Sequence, residues 1–191
     1  MRIVIRHSDK LYSNSAGYGH DPPLTDKGKV RVTALAAALI KRYGIPITIV
    51  CSPYLRCRQT ANILHRVVAD TYHRKVGICC DRLISEYLGN HANKPMMVEE
   101  DTLLFDPPHP ETFHQMEYRV RLHNDNMRDF DRLHRPVWFV THGLIIDRLT
   151  TAMGFKPPQS IPTLSFVVFY QKGSNIVGWY KHGKRIKRLK R

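Results

Sequence analysis

Two histidines of this chain follow short apolar runs that predict β-strands. His7 comes directly after residues 2–6, and His142 comes directly after residues 137–141. Because the carboxyl ends of parallel strands line one crevice, where ligands bind, the two imidazoles could face each other across it. A neutral imidazole is a nucleophile near neutral pH, and its N–H group is a hydrogen-bond donor. The pair predicts one site assembled from opposite ends of the chain.

Two arginines accompany these histidines. Arg6 precedes His7, and Arg56 follows a third apolar run at residues 47–51. A guanidinium group stays charged and presents a planar fork of donors that fits phosphate oxygens. Two such cations beside two imidazoles predict a crevice that binds a phosphate group.

The formal charge of +14 on 191 residues points to an anionic substrate or partner. Seven lysines and arginines fall within residues 181–191. We expect residues 1–180 to form one domain and residues 181–191 to form a basic C-terminal tail. A solvated tail and a contact with a polyanion, such as nucleic acid or an acidic membrane, both agree with this composition. The tail lacks the interleaved aromatic residues of a base-stacking surface.

Strand-like and helix-like segments alternate along the chain, which predicts an α/β fold. We expect a three-layer sandwich in which a mostly parallel central sheet is flanked by helices. Strands are predicted at residues 3–6, 47–51, 76–80 and 137–141, with an antiparallel hairpin at 165–170 and 176–180. Helices with regularly spaced apolar residues are predicted at 25–43, 55–70, 111–134 and 144–153.

One segment, residues 84–110, fits neither pattern because four prolines interrupt it and apolar residues are scattered through it. A long irregular segment in a compact domain is often a lid or a binding loop, and we predict one there. At the other end of the chain, Arg2 precedes the first strand and is expected to be solvated.

The cysteines indicate a reducing compartment. Cys51, Cys57, Cys79 and Cys80 include no C-x-x-C pair, so neither a disulfide framework nor a zinc site is predicted. No stretch is apolar enough to span a bilayer, and the chain begins on a predicted strand rather than on a signal sequence. We expect a cytoplasmic protein with reduced, mostly buried thiols, no transmembrane segment, no metal and no cofactor.

Four short motifs occur in the order and spacing of one known family. They are Arg6-His7, Leu24-Thr25-Asp26-Lys27-Gly28, residues 52–61, and Thr141-His142-Gly143. Together they resemble the histidine phosphatase superfamily, also called the phosphoglycerate-mutase-like family, over residues 2 to about 170. The resemblance implies a phosphoglycerate-mutase-like fold. Asp21-Pro22-Pro23-Leu24 further resembles the Sts/TULA-type branch, which includes protein-tyrosine and steroid-phosphate phosphatases.

The resemblance also implies roles for single residues. His7 would be the nucleophile, which attacks phosphorus and forms a phosphohistidine without a metal ion. Arg6, Arg56 and His142 would bind the phosphoryl oxygens. A carboxylic acid after the third strand would protonate the leaving group, and Glu86 matches the family at that place.

Other carboxylates remain open for the role of the acid. The rivals of Glu86 after the third strand are Asp81, Glu99, Glu100 and Asp101. Glu111 is either a secondary acid or a carboxylate at a helix start, where the macrodipole favours it.

The chain departs from the family pattern close to His7. Ser8 stands where the family usually has Gly, so it could tighten the pocket or donate a hydrogen bond to phosphate. Lys10 and Ser13 stand where mutase relatives have Ser and Asn, which weighs against a glycolytic mutase.

The resemblance implies a metal-independent phosphatase for phosphotyrosine or another small phosphate monoester. Its partner would be a phosphorylated small molecule or a phosphopeptide. Alternatives are a phosphoglycerate-type mutase, a sugar-bisphosphate phosphatase, and a non-catalytic protein that binds phosphate or nucleic acid. A homodimer is also left open.

Overall fold

The computed structural model describes residues 1–12, 21–87, 111–157, 159–170, 176–181 and 184–188. Seven strands in these ranges form one sheet in the order β3-β2-β4-β1-β5-β6-β7. The parallel strands are β1 (Arg2–Arg6), β2 (Thr48–Cys51), β3 (Gly77–Cys80) and β4 (Val137–Thr141). The antiparallel strands are β5 (Phe166–Tyr170), β6 (Ile176–Lys181) and β7 (Lys184–Arg188).

Helices cover both faces of this sheet. They are α1 (Asp26–Tyr43), α2 (Leu55–Tyr72), α3 (Phe113–Asn126) and α4 (Gly143–Ala152). Ile3 and Ile5 pack on the side of α1 and α2, whereas Val4 packs on the side of α3 and α4, because strand side chains alternate between the faces. The predicted three-layer α/β sandwich is confirmed, and its parallel strands occupy one half of the sheet.

The order of the elements explains how the two ends of the chain meet. From β1 the chain moves toward one edge through α1, β2, α2 and β3, and α3 then returns it to β4, between β2 and β1. Because parallel crossovers are right-handed, this reversal places α3 on the opposite face. The carboxyl ends of β1 and β4 become neighbours, with Arg6 paired to Thr141. Ligands bind at such a reversal in open α/β sheets.

Local sequence sets the helix ends that frame the site. Thr25 caps α1, where its Oγ1 accepts a hydrogen bond from the N–H of Gly28 at 2.9 Å. Gly44, with φ at 82°, ends the same helix. At the start of α3, Thr112 and Gln115 form a reciprocal capping box.

The helix predicted at residues 111–134 is too long. It begins at Phe113, ends at Asn126 and is followed by a 3₁₀ helix over Arg128–Arg132. The carbonyl of Phe130 accepts a hydrogen bond from the ammonium group of Met1 instead of continuing an α-helical ladder. A contact between residues so far apart in the chain leaves no trace in the local apolar spacing.

The expectation that Arg2 is solvated is wrong. Arg2 is 2% exposed, and its Nη1 donates to Asn124 Oδ1 at 3.1 Å. Its guanidinium lies 5.4 Å from the centroid of the Phe169 ring. A flat, weakly hydrated guanidinium tolerates this apolar setting when it keeps a hydrogen-bond partner and an aromatic contact.

The basic C-terminal segment is in part a strand. Residues 184–188 form β7, which pairs with β6 at the outer edge of the sheet. Residues 184–188, which were predicted to be part of a separate tail, therefore belong to the sheet of the domain. The hairpin of β5 and β6 is confirmed, with β7 rather than β6 at the edge. Most of the predicted lid, residues 88–110, lies outside the described residues.

Two further expectations concern the cysteines and the membrane. All four cysteines are free: Cys51 and Cys57 are buried, whereas Cys79 and Cys80 are exposed, so burial was predicted correctly for two of them. Within the ranges that the structure describes, no helix has both the length and the apolar character to cross a bilayer.

Candidate active site

Three strand ends form the site. The N–H of His7 donates to the Thr141 carbonyl at 2.9 Å, and the N–H of Ser52 donates to the Val140 carbonyl at 2.9 Å. These bonds continue the sheet ladder beyond β1 and β2, so the ends of β1, β4 and β2 lie side by side. The ring centroids of His7 and His142 are 5.4 Å apart as a result.

His7 is held in one tautomer. The residue is 2% exposed, and its Nδ1 lies 2.8 Å from the carbonyl oxygen of Ser8. Because a carbonyl oxygen can only accept a hydrogen bond, Nδ1 carries the proton in this contact. The neutral ring then keeps its lone pair on Nε2, the form that a nucleophile needs.

Burial keeps both imidazoles neutral. It lowers the pKa of His7 well below the usual value, and the positive charge of Arg56 lowers that pKa further. The pKa of His142 is also lowered by burial and then by Arg56. The site therefore holds its histidines uncharged near pH 7 while the arginines around them stay charged.

The two neutral histidines predict that the fold is sensitive to acid. As the pH falls below about 6.5, the unfolded chain binds protons at His7 and His142, whereas the folded protein does not because both pKa values are lowered. Stability therefore falls with falling pH. We expect the free energy of unfolding, measured by urea titration, to drop between about pH 7.5 and about pH 5.5, by up to roughly 3 kcal/mol from these two residues.

Variants separate this contribution from that of other groups. Replacing either His7 or His142 with glutamine should remove about half of the drop, since both histidines are buried and the pKa of each is lowered well below its usual value. The exposed His114 is a matched control, and H114Q should leave the drop unchanged. A drop of the same size in all three variants would contradict the assignment to the buried pair.

Contacts with Ser52 and Tyr54 fix the orientation of the His142 ring. It is fully buried, its Nε2 lies 2.8 Å from Ser52 Oγ, and the Tyr54 ring packs edge-on at 5.2 Å. These contacts turn Nδ1 toward Glu86, whose Oε2 is 3.6 Å away. When the Ser52 hydroxyl donates to Nε2, the Nδ1–H group is a donor for an anion in the crevice.

Arg56, in the first turn of α2, is fully buried between two carboxylates. Its Nη1 lies 2.9 Å from Asp21 Oδ1, and its Nη2 pairs with Glu86. Its guanidinium carbon also lies 4.6 Å from the centroid of the Tyr54 ring. These three contacts fix the direction of the guanidinium, whose planar set of donors fits phosphate oxygens.

Arg6 reaches from the end of β1 to the start of α4. Its Nη1 donates to the carbonyl of Ile161, and a Cβ built on Gly143 would lie 3.5 Å from its Nε. That Nε is buried and has no hydrogen-bond partner among the described residues. An unused donor beside a helix N-terminus is well placed to meet an anion.

Glu86 is the predicted acid that lies beside His142. Its Oε2 contacts Arg56, lies 3.6 Å from His142 Nδ1, and its side chain is 27% exposed. The rival Asp81 instead pairs with His123 at 2.8 Å. The other rivals lie outside the described residues; they are Glu99, Glu100 and Asp101.

Glu111, the secondary candidate, is bound to Arg119. The two carboxylate oxygens accept from Nε at 2.5 Å and from Nη2 at 2.9 Å. Arg119 Nη1 also donates to the Leu83 carbonyl at 2.8 Å. These contacts make Glu111 a structural link between the start of α3 and the 3₁₀ helix Arg82–Ile84 that leads to the acid.

Ser8 faces away from the crevice. Its Oγ donates to the Gly28 carbonyl at 2.8 Å, and its N–H donates to Thr60 Oγ1 at 3.2 Å. Because both donors are used within the protein, the structure gives no support to Ser8 as a phosphate ligand, and we leave it out of the proposed site. The chain after His7 passes so close to α1 that residue 28 must be glycine. A Cβ there would lie 2.5 Å from the Asp9 carbonyl oxygen.

Sequence reasoning missed the role of Asp21, which is 1% exposed and pairs with Arg56. Asp21 was singled out in the motif Asp21-Pro22-Pro23-Leu24, but that motif does not reveal a partner in the first turn of α2, more than 30 residues later. Lys10 is also close to the cations of the site: burial lowers the pKa of Lys10, and the charges of Arg56 and Arg6 contribute to the same direction.

The arrangement can bind and attack a phosphoryl group. It combines a neutral nucleophile (His7), two guanidinium groups (Arg6 and Arg56), a second imidazole (His142) and a partly exposed carboxyl group (Glu86). Placement and charge stabilisation are the main requirements of phosphoryl transfer. Among the described residues, no group of three or more His, Cys, Asp or Glu side chains could hold a metal ion.

Comparison with known proteins assigns the family. The model of the histidine phosphatase superfamily (branch 1) matches residues 3–191, and the chain belongs to this superfamily. The match includes residues 181–191, in agreement with the placement of β7 in the sheet. No curated protein matches the chain.

Solved structures share the fold at low sequence identity. The YhfR protein of Bacillus stearothermophilus is 20% identical with a TM-score of 0.67, covering 96% of this chain and 98% of its own. A mycobacterial glucosyl-3-phosphoglycerate phosphatase is 21% identical with a TM-score of 0.62, covering 98% and 95%. The ecdysone phosphate phosphatase of Bombix mori, solved with tungstate, is 15% identical with a TM-score of 0.68, covering 97% and 91%.

Proposed function

We propose that this protein is a metal-independent phosphatase that hydrolyses phosphate monoesters through a phosphohistidine on His7. The observation that carries the proposal is the hydrogen bond between His7 Nδ1 and the Ser8 carbonyl at 2.8 Å. It leaves an unprotonated Nε2 in a crevice lined by arginines. A protein that only binds phosphate has no need for a nucleophile held in that state.

In the first step, His7 Nε2 attacks phosphorus while the ester P–O bond breaks. Arg6, Arg56 and His142 stabilise the charge on the phosphoryl oxygens. The protonated carboxyl of Glu86 donates its proton to the leaving oxygen, and the alcohol departs. The negative charge of the bound phosphoryl group favours the protonated form of a neighbouring carboxyl group.

In the second step, water attacks the phosphohistidine. The Glu86 carboxylate accepts a proton from this water as the new P–O bond forms and the N–P bond to His7 breaks. Inorganic phosphate leaves, and the carboxyl group is again protonated for the next cycle. Splitting the hydrolysis in this way replaces one difficult displacement by two easier ones.

The substrate class is tested by a screen in the absence of added metal. Phosphotyrosine peptides, nucleotides, sugar phosphates and steroid phosphates are compared by kcat/KM. The relatives with similar folds carry names of phosphatases for a sugar-derived and a steroid-derived phosphate, which supports a small phosphate monoester as substrate. No turnover of any phosphate ester, with inorganic phosphate still bound, would point to a phosphate-binding protein instead.

We also propose a polyanion contact at the edge of the sheet. β7 is the outer strand, and four of its five residues are lysine or arginine. Phosphate contacts by such residues give binding that weakens steeply with salt. Replacing Lys184, Arg185, Lys187 and Arg188 with glutamine should abolish salt-sensitive binding of single-stranded RNA and leave phosphatase turnover unchanged.

A control variant removes the same charge elsewhere. Lys27, Lys29, Lys41 and Arg42 are exposed on α1, and their replacement with glutamine should leave nucleic-acid binding within about two-fold of wild type. Equal losses in the two variants would show a response to net charge alone and would refute a specific contact at β7.

A further inference from the structure

Asp21 connects the segment before α1 to the first turn of α2. Its carboxylate is 1% exposed, and both of its oxygens lie 2.9 Å from the backbone nitrogen of Leu55. Oδ1 also lies 2.9 Å from Nη1 of the fully buried Arg56. One buried carboxylate therefore contacts both the start of a helix and the neighbouring guanidinium.

The start of α2 lacks a cap of its own. Its N-cap residue, Tyr54, makes no side-chain capping hydrogen bond, and its first turn contains no acidic residue. The first N–H groups of a helix need acceptors, and the positive end of the helix dipole favours a carboxylate. Asp21, more than 30 residues earlier in the chain, supplies both the acceptor oxygens and the negative charge.

The contact between Asp21 and Arg56 also determines which edge of the guanidinium faces His142. Asp21 occupies Nη1, and Nη2 points toward Glu86 and lies 3.5 Å from His142 Nδ1. Rotation of the guanidinium away from this direction would break the contact with Asp21 and leave a buried carboxylate without its cation, which is costly. The Nη2 edge is thereby kept on the side of His142 and Glu86.

We propose that Asp21 is a positioning residue that aims the Nη2 edge of Arg56 at the phosphoryl group. The proposal rests on the proposed function, in which Arg56 binds the phosphoryl oxygens. Asp21 itself does not touch the substrate. Its effect on phosphate binding and turnover must therefore pass through Arg56, and a double-mutant cycle measures whether it does.

The experiment compares wild type, D21N, R56A and the D21N/R56A double variant. Calorimetry gives the dissociation constant of inorganic phosphate, and initial rates give kcat and KM for 4-nitrophenyl phosphate. D21N should weaken phosphate binding and lower kcat/KM by about 10- to 100-fold, the usual range for a lost hydrogen bond to a charged group. In the R56A background, D21N should change either quantity by less than about two-fold.

A matched control separates positioning from net charge. Asp26, exposed in the first turn of α1, carries the same charge, and D26N should leave phosphate binding and kcat/KM at wild-type values. If D21N does not fold, D21E restores the charge one methylene out of place and should weaken phosphate binding about three- to ten-fold in a protein that still folds, at a lower Tm. Failure of both variants to fold would make the role of Asp21 structural and would overturn the proposal.

Other results overturn it as well. Phosphate binding in folded D21N within two-fold of wild type would refute positioning, and so would losses that multiply independently in the cycle. If the proposed phosphatase function is wrong, the result differs from these: the wild-type protein binds phosphate but hydrolyses no ester. The dissociation constants of the four proteins then still measure the coupling between Asp21 and Arg56.

Discussion

Replacing His7 with glutamine is expected to lower the turnover of phosphate esters by on the order of 10⁴-fold or more. Glutamine is close in length and polar, but its amide nitrogen has no lone pair that can attack phosphorus. In the proposed mechanism the lone pair on Nε2 starts the reaction, and no other residue of the crevice replaces it. Initial rates with 4-nitrophenyl phosphate, measured without added metal, give the size of the loss.

The covalent intermediate provides a second measurement. Wild-type protein quenched during turnover should carry a phosphoryl group on the peptide that contains His7, and this N–P bond should be lost in acid. The exposed His114 is the matched control, and H114Q should keep wild-type turnover and labelling. A phosphoryl group on any other peptide, or turnover that persists in H7Q, would refute the assignment.

The parts of the site that the sequence predicted share one physical origin. His7 and His142 each follow a short, buried and continuously apolar strand, which local composition reveals. Parallel strands place their carboxyl ends along one crevice, so these residues meet once the strands are adjacent. Arg6 and Arg56 are brought to the same crevice by their places beside β1 and after β2.

The parts that the sequence did not predict depend on contacts between distant segments. Asp21, which precedes α1, is paired with Arg56 in the first turn of α2, and Arg2 is buried because Asn124 and Phe169 surround it. Ser8 turns toward Gly28 because α1 packs closely on the segment after His7. None of these partners lies within the window that a local pattern covers.

Replacing Glu86 with glutamine should have an effect that depends on the leaving group. An alkyl alcohol leaves poorly without a proton, so hydrolysis of an alkyl phosphate should fall by about 10³-fold, within the range for general acid catalysis. An acidic phenol leaves without help, so formation of the phosphohistidine from 4-nitrophenyl phosphate should slow by about ten-fold or less. Stopped-flow and steady-state rates on the two substrates measure this difference.

The same variant also tests the second role of this carboxyl group. If Glu86 accepts the proton of the attacking water, E86Q should form the phosphohistidine from 4-nitrophenyl phosphate faster than it hydrolyses it, and release of the phenol should show a burst. Glu117 is a suitable control because it is partly exposed and pairs with Arg148 at 3.5 Å, so E117Q should show neither effect. Equal losses on alkyl and aryl substrates, without a burst, would mean that Glu86 orients Arg56 and does not transfer the proton, because only proton transfer makes the rate depend on the basicity of the leaving oxygen.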